Sequence, residues 1–201
     1  MKKFVLNYCL KIIKQNNSDI SEVKLEEIKY GLEGIYLTLT KTIFIFLITY
    51  VLGIFKEMII MLFTFNILRT TGFGMHAKYS WQCWISSIVF FIICPFIAQY
   101  IVIPIYIKIL LCSLAIILIF IYSPADTIKH PLINHKKRML WKYITTINTI
   151  ILVFISLFLN NNISNLVVFG IYIEVILINP ITYKLFKLPY NNYKRYNLNT
   201  N

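Results

Sequence analysis

The chain has 201 residues, of which 58% are hydrophobic and 14% are charged. Soluble domains are nearer to about 45–50% apolar and about 25% charged, so this composition is typical of a membrane protein. The formal net charge of +12 is scattered among apolar segments rather than gathered in one basic domain, which argues against nucleic-acid binding and favours loops that face anionic lipid.

The N-terminal segment MKKFVLNYCLKIIKQNN predicts a basic amphipathic helix. At helical spacing, Lys3, Asn7, Lys11 and Lys14 fall on one stripe and apolar side chains fall on the other face. Such a helix lies in the bilayer interface or packs against the membrane domain, and the sequence leaves both open. It is not a cleavable signal, because lysines interrupt it and no small-residue cleavage site follows. We expect residues 1–33 to form cytoplasmic or interfacial helices.

Six apolar segments follow, and each is a candidate membrane-spanning helix, since a crossing needs about 20 predominantly apolar residues. The predicted spans are 34–54, 57–69, 81–100, 103–122, 141–159 and 163–184. The second is too short unless it extends toward Gly72 or lies in a locally thinned, protein-lined region. The predicted fold class is therefore all-α, with a polytopic membrane domain over residues 34–188 and a loosely ordered tail over residues 189–201.

The charges of the connecting segments predict the orientation. Basic residues precede the first span, occupy the breaks after the second and fourth spans and follow the last span, whereas the opposite connections carry almost none. By the positive-inside rule, both termini lie in the cytoplasm, and the protein is a multi-pass protein of the cell membrane. The break between the second and third spans, RTTGFGMHAKYSWQC from Arg69 to Cys83, lies on the same side.

This break contains a histidine and a cysteine, which together can supply a nucleophile and its base near neutral pH. Ser80 is a candidate N-cap that would place Cys83 in the first turn of the third span, where the helix dipole favours a thiolate. Along a continuous helix, His76 and Cys83 would lie about 10 Å apart. A catalytic pair therefore requires an irregular chain between Met75 and Ser80, which Gly74 and the glycine two residues before it permit.

Other interpretations of this pair stay open. His76 could be a loop histidine and Cys83 an interfacial cysteine, with no joint role. A zinc site is disfavoured, because the remaining imidazoles, His130 and His135, complete no recognised ligand spacing. The sequence indicates no cofactor.

Three motifs occur in order along the chain. They are Arg69 followed by Gly74-Met75-His76-Ala77, Trp81 and Cys83; YSPADTIKHPL at 122–132 followed by a basic run at 136–138; and GIYIEVILINP at 170–180. Together they resemble the accessory gene regulator protein B (AgrB) family, the membrane peptidases of Gram-positive quorum sensing, whose R-x4-G-x-H-A…C pattern contains the catalytic His and Cys. The chain departs from the family at Phe73-Gly74, where many members carry Gly-Gly or His-Gly, and at the KHP of the second motif.

The resemblance implies an integral-membrane cysteine endopeptidase that acts on a small AgrD-type propeptide. Cys83 would be the nucleophile, and His76 the general base and then the general acid for the leaving amine. The thiolate would attack the carbonyl that joins the future signal peptide to an acidic C-terminal tail. A Cys or Ser of the substrate would then close a thiolactone or lactone ring. The resemblance also implies a homodimer.

Further residues are expected to support the reaction. Arg69 orients the substrate or the loop, or else its side chain snorkels to the interface. Gly74 provides conformational freedom. The basic residues after the fourth span contact the acidic tail or form an ordinary positive-inside loop, and they are Lys129, Lys136, Lys137 and Arg138.

Glu174 is an acid well inside a predicted span, a costly position that usually calls for a partner. We expect a structural pair with Lys41 or a neutral carboxyl group. The alternative is a third catalytic member that orients His76. Asp126 is a rival for that orienting role, because it lies on the predicted cytoplasmic side.

A non-enzymatic interpretation also stays open, namely a small-peptide transporter or a membrane scaffold. Against it, the sequence contains no nucleotide-binding glycine loop and no visible repeat halves. Apart from Glu174, it places few polar residues near the middle of the spans.

Overall fold

The computed structural model describes residues 2–16, 20–75, 77, 79–127 and 131–194. Over these residues the chain is all-α, as predicted, with one isolated β-bridge between Phe73 and Ala125. The helical elements are α1 (Lys2–Asn16), α2 (Glu22–Val51), α3 (Phe55–Gly72), α4 (Ser80–Ile88), a π-helical turn (Val89–Ile93), α5 (Cys94–Ala98), α6 (Ile105–Tyr122), α7 (His135–Phe158), α8 (Asn161–Ile178) and α9 (Pro180–Leu185).

The chain divides into two compact units, residues 1–48 and residues 49–201. The first unit contains α1 and most of α2. Helix α1 covers the residues for which the sequence predicts an amphipathic helix, and its placement at a bilayer interface stays a prediction. Helix α2 runs from Glu22 through a charged segment into the predicted first span without interruption.

Among the described residues, five helical segments are long and apolar enough to cross a membrane. They are Lys24–Val51, Ser80–Ala98, Ile105–Tyr122, His135–Phe158 and Asn161–Ile178. Helix α3 contains the predicted second span, which is too short to cross a membrane unless it extends toward Gly72, and the helix does extend to Gly72. At about 1.5 Å per residue its 18 residues give about 27 Å. Its 18 residues include three charged ones, Lys56, Glu57 and Arg69, and it is not among the five, so the sixth crossing stays a prediction.

The predicted third span contains a π-helical turn between α4 and α5. The N–H of Cys94 donates to the carbonyl of Val89, five residues earlier. Pro95 follows at the start of α5, where it has no N–H to donate and where its ring would clash with the carbonyl of Phe91 in a regular α-helix. The wider turn removes this conflict.

The prediction of one continuous last span over 163–184 is wrong at its end. Helix α8 ends at Ile178, and Asn179 has an extended backbone with φ −70° and ψ 132°. Pro180 disfavours the α conformation at the residue before it, so the helix stops there. The side-chain oxygen of Asn179 accepts the N–H of Ile181 at 2.9 Å and caps the short helix α9.

The basic run at 136–138, predicted to lie in a loop, lies instead in the first turn of α7. The side-chain oxygen of Asn134 caps this helix, accepting the N–H of Lys136 at 3.0 Å and of Lys137 at 3.3 Å. Such a cap satisfies exposed backbone donors and offsets the unfavourable placement of cations at a helix N-terminus. The predicted span 141–159 is thus the apolar part of a longer helix.

Helix α8 is the central element of the unit formed by residues 49–201, and it packs against α3, α6 and α7. Its sequence is apolar on nearly all sides and most of its residues are buried, as expected for a helix enclosed by others. Gly170 permits the close approach of α3, because a Cβ there would lie 2.8 Å from the Cβ of Thr64 and 3.1 Å from the carbonyl oxygen of Met61. The C-terminal ends of α3 and α8 lie together, since Gly72 meets Glu174.

Candidate active site

The chain leaves the helical conformation between α3 and α4, as a catalytic pair in this break requires. Phe73 and Gly74 have positive φ angles of 62° and 84°, and α4 begins at Ser80. The predicted irregular segment is therefore confirmed for the residues described there. The predicted base, His76, lies outside the described residues.

The predicted N-cap of α4 is wrong by one residue. Tyr79 holds this position with an extended backbone, and the side-chain oxygen of Gln82 accepts the N–H of Tyr79 at 3.2 Å. The N–H of Cys83 donates to the carbonyl of Tyr79 at 3.4 Å, so Cys83 does lie in the first turn of α4. Its side chain is half-buried and lies near the positive end of the helix dipole.

Two glycines leave room for charged side chains at this break. A Cβ on Gly72 would lie 2.5 Å from Glu174 Oε1. A Cβ on Gly74 would overlap Arg69 Nη1 and would lie 3.0 Å from the carbonyl oxygen of Leu177. Because Gly74 also has a positive φ, it is required both for its conformation and for the space it leaves.

Backbone hydrogen bonds join the break to two other parts of the chain. The N–H of Gly74 donates to the carbonyl of Ala125 at 2.8 Å, and the N–H of Ala125 donates to the carbonyl of Gly72 at 3.0 Å. The N–H of Met75 donates to the carbonyl of Leu177 at 3.0 Å. These bonds bring the three sequence motifs together at one end of the 49–201 unit.

Arg69 connects α3, the break and α8 through its guanidinium group. Its Nη2 donates to the carbonyl oxygen of Met75 at 2.6 Å, and its Nη1 lies 3.8 Å from Glu174 Oε2. The Arg69 side chain is 17% exposed and that of Glu174 is 0% exposed. We expected Glu174 to pair with Lys41 or to be neutral. The cationic group observed beside it is that of Arg69, a partner that sequence reasoning missed, and a neutral carboxyl group stays a prediction.

Asp126 binds the backbone of the C-terminal segment. Its Oδ1 accepts the N–H of Asn192 at 2.8 Å, and its Oδ2 accepts the N–H of Tyr193 at 2.7 Å. Asp126 is buried, and both its carboxylate oxygens are thus used in these bonds. The first part of the predicted loosely ordered tail is therefore hydrogen-bonded to the loop after α6, which contains Asp126. Residues 195–201 lie outside the described residues.

Two tyrosines support the same loop. The hydroxyl of Tyr183 donates to the carbonyl of Asp126 at 3.1 Å, and that of Tyr190 donates to the carbonyl of Tyr122 at 3.4 Å. Burial is the main cause that raises the pKa of Tyr183 above its usual range and the pKa of Tyr190 to about 12. Both hydroxyls therefore stay protonated at neutral pH and remain donors.

The predicted basic contacts differ in their surroundings. Lys136 and Lys137 are exposed at the start of α7. The guanidinium of Arg138 lies 3.7 Å from the ring centroid of Tyr193, and its Nη1 donates to the carbonyl of Leu132 at 3.2 Å. Lys129 lies outside the described residues.

Sequence reasoning missed the contribution of Tyr183, Asn192 and Tyr193. No signal marks Asn192 and Tyr193, because their contact with Asp126 uses backbone N–H groups. Tyr183 follows the Asn-Pro pair at 179–180, a recognisable helix stop that would have placed it outside the last span.

Comparison with known proteins places these features in a family. A family model for accessory gene regulator B matches residues 6–178. An AgrB-like protein of Clostridium acetobutylicum is 34% identical over 172 residues, which cover 85% of this chain and 82% of that protein. An AgrB-like protein of Listeria innocua is 36% identical over 173 residues, covering 85% of this chain and 84% of that protein.

The accessory gene regulator protein B of Staphylococcus carnosus is 36% identical over 159 residues, covering 79% of this chain and 81% of that protein. No solved structure matches the chain. The matched range contains the first two motifs completely and the third up to the end of α8. The chain therefore belongs to the accessory gene regulator B family, which is implicated in quorum sensing.

Proposed function

We propose that the chain is an integral-membrane cysteine endopeptidase that removes the C-terminal tail of a small AgrD-type propeptide and promotes its cyclisation to an autoinducing peptide. One observation carries this proposal: Arg69 fixes the carbonyl of Met75, the residue directly before His76 in the sequence, and Cys83 lies in the first turn of the apolar helix that follows. In this proposal His76 lies close to the Cys83 thiol, because a neighbouring base and a helix N-terminus both favour the thiolate.

The chemistry proceeds through a thioester. His76 accepts the thiol proton of Cys83, and the sulfur attacks the carbonyl carbon of the bond between the signal segment and the tail. His76 then gives the proton to the leaving amine, so the tail departs with a free N-terminus and a thioester remains on Cys83. A Cys thiol or Ser hydroxyl of the substrate attacks this thioester, closes the thiolactone or lactone ring and releases the enzyme thiol. An apolar site with little water slows the competing hydrolysis.

Recognition of the acidic tail is proposed for the basic segment that leads into α7. Lys136 and Lys137 are exposed beside the N-terminus of that helix, where cations and the helix dipole both attract negative charge. Lys129 and Arg138 belong to the same segment, although the Arg138 guanidinium stacks on Tyr193. The role proposed for Asp126 is to hold the C-terminal segment, because both its oxygens accept backbone N–H groups there.

The same proposal includes an orientation in the cell membrane, with both termini and the candidate site on the cytoplasmic side. It is supported by the distribution of basic residues, which cluster at the sequence breaks of one side and are scarce at those of the other. A homodimer is proposed on family resemblance alone.

Co-expression with an AgrD-type propeptide that carries a C-terminal tag tests this function. At equal amounts of inserted protein, we expect Cys83→Ala and His76→Ala to abolish release of the tagged tail. Cys94→Ala is the matched control, since Cys94 is another half-buried cysteine further along the same apolar segment, and it should retain release. If either Cys83→Ala or His76→Ala still releases the tail, the peptidase proposal is wrong, and a transporter or scaffold becomes the better interpretation.

A further inference from the structure

We infer that Glu174 is a positioning residue for the reaction, acting through Arg69 on the segment that leads into His76. This inference rests on the proposed function. Glu174 lies in the central helix α8, far along the chain from the catalytic pair, and the contacts that connect it to the break are all among the described residues.

Glu174 contributes through the negative charge of its carboxylate. This group is 0% exposed, and Arg69 Nη1 lies 3.8 Å from its Oε2. Within the described part of the chain, neither carboxylate oxygen nor Arg69 Nη1 has a hydrogen-bond partner. An uncompensated charge in such a place is costly, so each of these two charges makes the burial of the other tolerable.

The surrounding backbone is shaped to admit this ion pair. Gly72 leaves the space occupied by Glu174 Oε1, and Gly74 leaves the space occupied by Arg69 Nη1. A side chain at either glycine would displace one member of the pair. Gly72 thus serves the ion pair, and Gly74 serves both the ion pair and the turn, which links Glu174 to the local structure that leads into His76.

Arg69 connects Glu174 to the backbone directly before His76. Its Nη2 donates to the carbonyl of Met75 at 2.6 Å, so one planar guanidinium faces Glu174 with one nitrogen and holds Met75 with the other. Without the carboxylate, this long and partly exposed side chain gains by turning its charge toward water or lipid headgroups. The carbonyl of Met75 then loses its donor, and the direction of the chain into His76 is no longer fixed.

A positioning role and a purely structural role predict different kinetics. A structural acid affects the amount of folded protein. A positioning acid affects kcat more than KM, because substrate still binds while the base is misplaced. A positioning acid at 174 also acts only through Arg69, so removing it should not lower kcat further once Arg69 has been neutralised.

The test is a double-mutant cycle with Arg69→Gln, Glu174→Gln and the two combined. Each protein is purified in lipid nanodiscs, and the readout is release of the tail from a synthetic AgrD-type propeptide. Glu174→Gln keeps the shape of the side chain and removes its charge. We expect it to lower kcat about 10- to 100-fold with little change in KM, the range that follows from a small misplacement of a catalytic group. Glu174→Asp, which keeps the charge but is shorter, should recover part of the loss.

The combined variant should be no slower than Arg69→Gln alone, and because it leaves no unpaired buried charge it remains measurable even if a single variant folds poorly. Glu57→Gln is the matched control, an acid in the first turn of α3, and should behave as wild type. A wild-type kcat for Glu174→Gln or for the combined variant would overturn the inference. So would a combined variant whose loss in kcat equals the product of the losses of the two single variants, because the two residues would then act independently. Failure of the peptidase proposal is seen separately, as tail release by Cys83→Ala.

Discussion

The carbonyl oxygen of Ala125 accepts the N–H of Gly74 at 2.8 Å, which ties the loop after α6 to the turn after α3. The N–H of Ala125 returns a bond to the carbonyl of Gly72 at 3.0 Å, so the two segments are paired in both directions. The loop after α6 carries Asp126 and leads toward the basic segment proposed to bind the acidic tail. The turn proposed for catalysis is thus hydrogen-bonded to the loop that precedes the proposed recognition segment.

Replacement of Gly74 by alanine should damage this assembly directly. The new Cβ would meet Arg69 Nη1 and the carbonyl of Leu177, in a backbone conformation that alanine rarely adopts. We expect a loss of stability of about 1–3 kcal/mol and loss of tail release. Thermal unfolding in detergent and processing of a co-expressed propeptide measure the two effects. Gly34→Ala, where a Cβ meets nothing within 4 Å, is the control, and equal behaviour of the two variants would contradict the prediction.

Gly170→Ala should separate stability from activity. Its Cβ would lie 2.8 Å from the Cβ of Thr64 and would force α3 and α8 apart, at a cost of about 1–3 kcal/mol. Gly170 lies in α8 more than a full turn before Glu174, so we expect a lower Tm with tail release largely retained at low temperature. Gly31→Ala serves as the control, because a Cβ at that position has nothing within 4 Å. An unchanged Tm would show that α3 and α8 do not approach as closely as described.

Asp126→Ala should release the C-terminal segment. The N–H groups of Asn192 and Tyr193 would lose their acceptor, and for a buried donor such as that of Asn192 this costs about 1–3 kcal/mol. We expect faster chymotrypsin cleavage after Tyr190 and Tyr193 in limited proteolysis followed by mass spectrometry. Glu26→Ala, a change at an exposed acid, is the control. Cleavage at the wild-type rate would mean that Asp126 does not hold this segment.

Local features of the fold followed from local signals in the sequence. The end of α3 near Gly72 followed from the length a span requires, and the irregular segment before Ser80 followed from the glycines and the polar cluster. The stop at Pro180 and the cap at Asn134 were also visible as an Asn-Pro pair and an N-cap residue. The prediction of an uninterrupted last span gave too much weight to continuous hydrophobicity.

Contacts between residues that are distant along the chain could not be predicted from the sequence. Arg69 and Glu174 meet only because α3 and α8 pack with their C-terminal ends together. Asp126 meets Asn192 and Tyr193 through backbone atoms, which carry no residue-specific signal. The sequence therefore identified the candidate acids, and the packing of the helices determined their partners.

The central claim is that a sulfur of this chain carries the propeptide as a thioester, and trapping that species tests it most directly. A synthetic AgrD-type propeptide whose ring-closing Cys or Ser is replaced by alanine can be cleaved but cannot cyclise. Intact-protein and peptide mass spectrometry after incubation should show the propeptide without its tail attached to Cys83 and removable by hydroxylamine, with no such adduct in Cys83→Ala. Release of the tail without an adduct on Cys83, or release by the Cys83→Ala variant, would contradict the account.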